Sequence, residues 1–93
     1  MELKWTSKAL SDMVRLYEFL APVNQLTAAH TVQSLTAAPS SFLLNPRIGE
    51  KLEELDPREV CWLLVGHYEM RYEIQKSTIY CYGFGIRVRI DSD

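Results

Sequence analysis

The feature that most constrains this chain is a switch in hydrophobic period at Val60. Downstream of it, Tyr68, Met70, Tyr72 and Ile74 alternate with Glu69, Arg71, Glu73 and Gln75. Successive side chains of a strand point to opposite faces, so this segment reads as a strand with one apolar and one charged face. Val60-Cys61-Trp62-Leu63-Leu64-Val65 is a continuous apolar run of central-strand length, and Gly66-His67 supplies the turn between the two. Lys76-Ser77 makes a tight connection to a third strand, Thr78 to Phe84. Upstream the period is helical. From Lys8 to Ala21, Leu10, Met13, Val14, Tyr17 and Leu20 fall on one stripe, with Asp12, Arg15 and Glu18 on the other side. Pro22 closes that helix. Asn24 caps a second one, in which Ala28, Ala29, Val32, Leu35 and Thr36 keep helical spacing until Pro39 stops it.

Glu2-Leu3-Lys4-Trp5 adds a short alternating strand at the N-terminus. The expected order is β-α-α-β-β-β. Helices and strands are segregated, which defines an α+β fold. The two helices form a hairpin over one face of an antiparallel sheet, and the face carrying Glu69, Arg71 and Glu73 is expected to meet solvent or a partner. The stretch from Pro39 to Pro57 reads as irregular, with Asn45-Pro46 and Ile48-Gly49 as turn signals. With 93 residues, the expectation is a single domain spanning 1–93.

Charge and composition exclude several functions. Ten Lys and Arg against twelve Asp and Glu leave a net charge of −2, unlike the basic excess of a dedicated nucleic-acid binder. No apolar run approaches the roughly 20 residues that span a bilayer, and Met1-Glu2-Leu3-Lys4-Trp5 has no signal-peptide character, so a cytoplasmic protein without a membrane partner is expected. Cys61 and Cys81 lie in apolar strands, where thiols are inert. His30 reads as a helix-surface residue and His67 as a turn residue; neither has a ligand at metal spacing, and no metal or cofactor is expected. Gly83-Phe84-Gly85 opens onto no helix and is not a phosphate loop. The acidic cluster Glu50, Glu53, Glu54, Asp56 and Glu59 reads as a solvated face.

Specific residues then join this order of elements. Leu3-Lys4-Trp5-Thr6 precedes a helix; Leu44-Asn45-Pro46-Arg47-Ile48-Gly49 follows the helical pair; Arg58-Glu59-Val60 enters the hairpin; and Gly66-His67-Tyr68-Glu69-Met70-Arg71-Tyr72-Glu73-Ile74 carries the Tyr-x-x-x-Tyr strand. Over residues 2 to about 80 the sequence resembles the ParE branch of the RelE/ParE toxins of bacterial type II toxin–antitoxin (plasmid stabilisation) systems. The resemblance implies a toxin neutralised by a cognate ParD-like antitoxin in a hetero-oligomer. It also separates two chemistries. RelE-like members are ribosome-dependent mRNA endonucleases, which need cations to offset charge at the scissile phosphate. One such Arg follows the Tyr of the middle strand, and here that position holds the anion Glu69. ParE-like members inhibit DNA gyrase by binding it, without chemistry of their own. The resemblance thus implies a non-enzymatic gyrase inhibitor that contacts no nucleic acid directly, with the mRNA endonuclease and a non-toxic antitoxin-binding variant as the alternatives.

The groove beside the helical hairpin and the sheet edge is the expected docking surface. Leu10, Met13, Val14 and Tyr17 are candidates for its apolar floor, against the plainer reading that they pack the core. Arg58 and Arg71 are candidates for polar contacts, against the plainer reading of surface ion pairs.

The C-terminus departs from the family. Members usually end on a hydrophobic stretch followed by His and Arg, whereas this chain reads Tyr80-Cys81-Tyr82-Gly83-Phe84-Gly85-Ile86-Arg87-Val88-Arg89-Ile90-Asp91-Ser92-Asp93. With permitted codon choices, joining the third base of each codon to the next two lets Cys81 to Ser92 encode Leu-Arg-Leu-Trp-His-Thr-Arg-Glu-Asp-Arg-stop, a typical family ending. We therefore hypothesise a frameshift near Tyr80 or Cys81. Sequencing the gene checks it: codons incompatible with that second reading would dismiss the idea.

Overall fold

The computed structural model describes residues 1–86. Its elements run β1 (Glu2–Trp5), α1 (Ser7–Leu20), α2 (Gln25–Ala37), α3 (Pro39–Leu44), β2 (Glu50–Lys51), β3 (Glu59–Val65), β4 (Tyr68–Gln75) and β5 (Thr78–Ile86), with a 3₁₀ turn at Glu53–Leu55. The strands form one sheet in the order β1-β5-β4-β3-β2. The architecture is α+β, as the switch of period requires.

Both long helices begin on the capping residues their sequences offer. The Thr6 side chain accepts a hydrogen bond from the Ala9 amide at 3.1 Å, and that of Asn24 from the Thr27 amide at 3.1 Å. Thr6 also donates its hydroxyl to the Cys81 carbonyl at 3.0 Å, which ties the start of α1 to β5 across the sequence.

Three expectations are corrected. The sheet is mixed: β3, β4 and β5 are antiparallel, but β1 lies parallel to β5, with Glu2 opposite Thr78 and Trp5 opposite Cys81. No hairpin turn joins β1 to its neighbour, and the helices between them supply the long crossover that parallel pairing needs. Secondly, Pro39 ends α2 and also starts α3, where it occupies the first turn and its missing N–H costs nothing. Thirdly, Glu73 does not face solvent; it is 3% exposed.

The core lies between the helices and one sheet face. Ala9, Met13, Leu35 and Phe42 from the helices meet Cys61, Met70, Tyr72, Ile74, Ile79 and Cys81 from the strands. Tyr72 is its centre. Its ring stacks on Phe42 with centroids 4.1 Å apart. Its hydroxyl donates to the Pro46 carbonyl at 2.8 Å and accepts from the Gly49 amide at 3.0 Å. The Asn45–Gly49 segment is therefore pinned to β4 by one buried phenol. A Cβ at Gly49 would lie 2.7 Å from the Trp62 carbonyl oxygen and 2.8 Å from that hydroxyl, so only glycine fits.

Candidate functional site

The six residues singled out in the sequence separate into three places. Met13 is in the core, 9% exposed. Leu10, Val14 and Tyr17 instead lie on the outer side of α1, at 54%, 57% and 39% exposure. They recur every three or four residues, so they form one continuous apolar strip on the helix surface. The plainer reading thus holds for Met13 and fails for the other three. The helix can face outward in this way because its inner contacts are made by Ala9, Met13 and Leu16.

Arg58 and Arg71 meet at a cleft of about 420 Å³ on the other side of the sheet. Lys8, Leu55, Val60, Glu69 and the Tyr82–Gly85 stretch complete its walls. Arg58 holds Glu73 in a fork, Nε to Oε2 at 3.1 Å and a terminal nitrogen to Oε1 at 2.7 Å. The Tyr82 hydroxyl also donates to Glu73 Oε1. Hydrogen bonds from Arg58, and secondarily from Tyr82, hold the Glu73 carboxyl down to about 2. The same pairing raises the Arg58 pKa, and burial beside that carboxylate raises the Tyr82 hydroxyl.

The bulge in β5 is what delivers Tyr82. Arg71 pairs with Gly83 and Tyr72 with Cys81, leaving Tyr82 as the extra residue. Gly83 has a second role. A Cβ there would come within 2.6 Å of Asp12 Oδ2 and 2.8 Å of Lys8 Nζ, whereas glycine lets α1 lie close enough for Asp12 to accept from the Phe84 amide at 3.2 Å. Each cation of the cleft has an anionic neighbour: Lys8 with Asp12 at 2.8 Å, Arg58 with Glu73 at 2.7 Å, and Arg71 with Glu69 at 3.6 Å. The plainer reading of Arg58 and Arg71 as ion-paired side chains therefore describes what they do in the free protein.

Sequence reasoning missed two things. Phe19, Val23 and Leu26 are also exposed, at 68%, 86% and 72%, and extend the uncovered apolar surface around the α1–α2 link. Phe19 lies off the stripe, between Glu18 and Leu20, so the helical period gave no sign of it. Tyr82 was missed because a bulge leaves no mark in an alternating pattern.

The remaining chemistry-bearing side chains stand apart. Burial raises the Cys61 thiol and pushes Cys81 up to about 12, so both are protonated at neutral pH. His30 and His67 are exposed. Among the described residues there is no group of three potential metal ligands and no helix long and apolar enough to cross a membrane.

Comparison with known proteins fits this geometry. Residues 3–89 match the family described as ParE toxin of type II toxin-antitoxin system, parDE. The chain belongs to the ParE toxin family. A solved structure described as the chromosomal ParDE TA system from P. aeruginosa shares the fold, with a TM-score of 0.76 at 17% identity over 95% of this chain and 97% of that one. A search of curated proteins finds no match. The matched range runs past residue 80, where the motif resemblance ends, and takes in part of the unusual C-terminus of this ParE-family toxin. The hypothesised frameshift concerns residues that lie partly outside those described, since 87–93 are not among them.

Proposed function

We propose that this toxin acts in the cytoplasm without chemistry of its own, by binding DNA gyrase, and that a ParD-like antitoxin neutralises it in a hetero-oligomer. The observation that carries the non-enzymatic reading is the pairing in the cleft. A ribonuclease of this fold needs cations free to offset charge on a phosphate in flight. Here Arg58 already forks a carboxylate, and Arg71 lies beside Glu69. Gyrase as the target, and an antitoxin as the partner, come from the family to which the chain belongs.

The docking surface we assign to the antitoxin is the outer strip of α1, Leu10, Val14 and Tyr17, with Arg58 and Arg71 at the cleft as polar contacts and Met13 supporting the strip from beneath. A partly disordered antitoxin segment that folds on binding would cover such a strip. A supercoiling assay with purified gyrase tests the activity: inhibition by this protein, relieved by the antitoxin, is expected. Robust mRNA cleavage in a translating extract, with no effect on gyrase, would instead establish the endonuclease reading.

One observation favours a second reading, an antitoxin binder that is no longer toxic. The family's usual basic ending is absent from this sequence. Expression of this chain beside a version carrying the alternative-frame ending separates the two. Equal toxicity removes any role for the tail; toxicity of the second version alone establishes the silent variant.

A further inference from the structure

The cleft between Lys8, Arg58, Arg71 and Tyr82 is bordered by cations, yet their charge is cancelled from within. Among the described residues three cations border it, and three carboxylates, Asp12, Glu69 and Glu73, stand against them. The carboxylates are not equivalent. Asp12 serves the fold by capping the Phe84 amide. Glu73 is 3% exposed and lies under the cleft wall, where its two oxygens take up Arg58 and Tyr82. Glu69 stands at the rim beside Arg71. Burying a carboxylate is costly unless it is paired, and Glu73 is paired: two N–H donors of Arg58 and the Tyr82 hydroxyl converge on its oxygens, where an amide would turn an NH2 donor toward one of them. Glu73 thus sets a full negative charge against the Arg58 cation at the cleft.

We propose that Glu69 and Glu73 are specificity-determining residues that exclude polyanions from this cleft and so reserve it for protein partners. The proposal rests on the protein-binding reading above. A single-stranded nucleic acid entering the cleft would have to displace Glu73 from Arg58 and approach within reach of two carboxylates. Like charges at that range in a partly dehydrated groove repel strongly. Without those two charges, Arg58, Arg71 and the Tyr82 hydroxyl would face the groove as donors to phosphate.

The test is fluorescence anisotropy with a labelled 12-nucleotide poly-uridine RNA, on the full chain and on the double variant Glu69→Gln, Glu73→Gln. Circular dichroism and thermal melting establish that each protein is folded. The unaltered protein is expected to show no saturable binding. The double variant frees two cations, so binding should appear and weaken with salt at a log–log slope of about −1.4, which is about a sevenfold loss between 50 and 200 mM. Adding Arg58→Gln and Arg71→Gln should abolish that gain. If Glu73→Gln prevents folding, the rim variant Glu69→Gln alone still decides, with a slope of about −0.7 expected. RNA binding by the unaltered protein overturns this proposal, and the protein-binding reading falls only if gyrase supercoiling is also unaffected. A folded variant that gains no binding, or a gain that survives removal of both arginines, overturns this proposal alone and leaves gyrase inhibition to its own assay.

Discussion

The strip on α1 and the cleft beside β4 are built on opposite terms. Leu10, Val14 and Tyr17 are apolar and, among the described residues, exposed on the outer side of α1. The cleft is polar, and Lys8, Arg58 and Arg71 each have an anion beside them within the chain. The first surface gains free energy whenever something apolar covers it. The second gains little from a charged partner, because any new ion pair must first break an old one. A small protein that works by being bound can thus advertise one face and screen another against polyanions. Both faces hang on the same strand, since Tyr72 anchors the helical side and Glu73, the next residue, anchors the cleft.

Breaking the shared strand should have the largest effect. Tyr72→Ala removes the stack on Phe42 and the anchor of the Asn45–Gly49 segment, and should cost about 3–5 kcal/mol, read as a large fall in the thermal midpoint. Tyr72→Phe should cost about 1–3 kcal/mol, because it leaves the Gly49 amide without its partner. Next come the two surfaces themselves. Leu10→Ser with Val14→Ser should weaken antitoxin binding by about tenfold or more in calorimetry, at about 2 kcal/mol in all, while the melting temperature falls by only about 2–6 °C because neither side chain is fully buried.

The cleft should reveal itself through pH. The Glu73 carboxyl is depressed from its ordinary 4.5 to about 2 in the folded protein. A depressed carboxyl contributes stability that is complete above its unfolded pKa and fades as pH falls toward the folded value. The unaltered protein should therefore lose about 2 kcal/mol between pH 5 and pH 2 from this group, allowing for screening by solvent near the cleft, and Glu73→Gln should flatten that part of the profile in acid-unfolding measurements. The smallest effect belongs to the exposed pair Arg47–Glu59, 2.9 Å apart. Arg47→Ala should shift stability by less than about 0.5 kcal/mol, measured by urea unfolding, since surface pairs contribute little.

How far each region was legible follows from how local its cause is. The existence and span of β4 were readable because alternation is a property of neighbouring residues. The cap of α2 was readable because Asn24 satisfies Thr27 only three positions away. The parallel pairing of β1 with β5 was not, because its partners are 76 residues apart, Glu2 with Thr78. Nor was the burial of Glu73, which depends on Arg58 fifteen residues earlier and on a bulge that turns Tyr82 toward it. The stripe on α1 was legible as a stripe, but not as two sets. Ala9 is as much a part of the buried side as Met13, and it is too small to weigh in a count of large apolar residues. Its size lets α1 approach the sheet and leaves Leu10, Val14 and Tyr17 outside. Proline was ambiguous in itself: Pro39 both stops one helix and starts another.

The bond from Thr6 to the Cys81 carbonyl spans 75 positions, and it sets an order of events during synthesis. A ribosome emits this chain from the N-terminus, so α1 emerges early, with its apolar strip already encoded. Its seat is β5, made only after the helices, β3 and β4. Until β5 has left the exit tunnel, β1 has no partner to pair with, Met13 and Ala9 lack part of the wall they pack against, and α1 has no fixed orientation. The binding face is thus assembled only after β5 has emerged, which denies it to nascent chains that stop short of that strand.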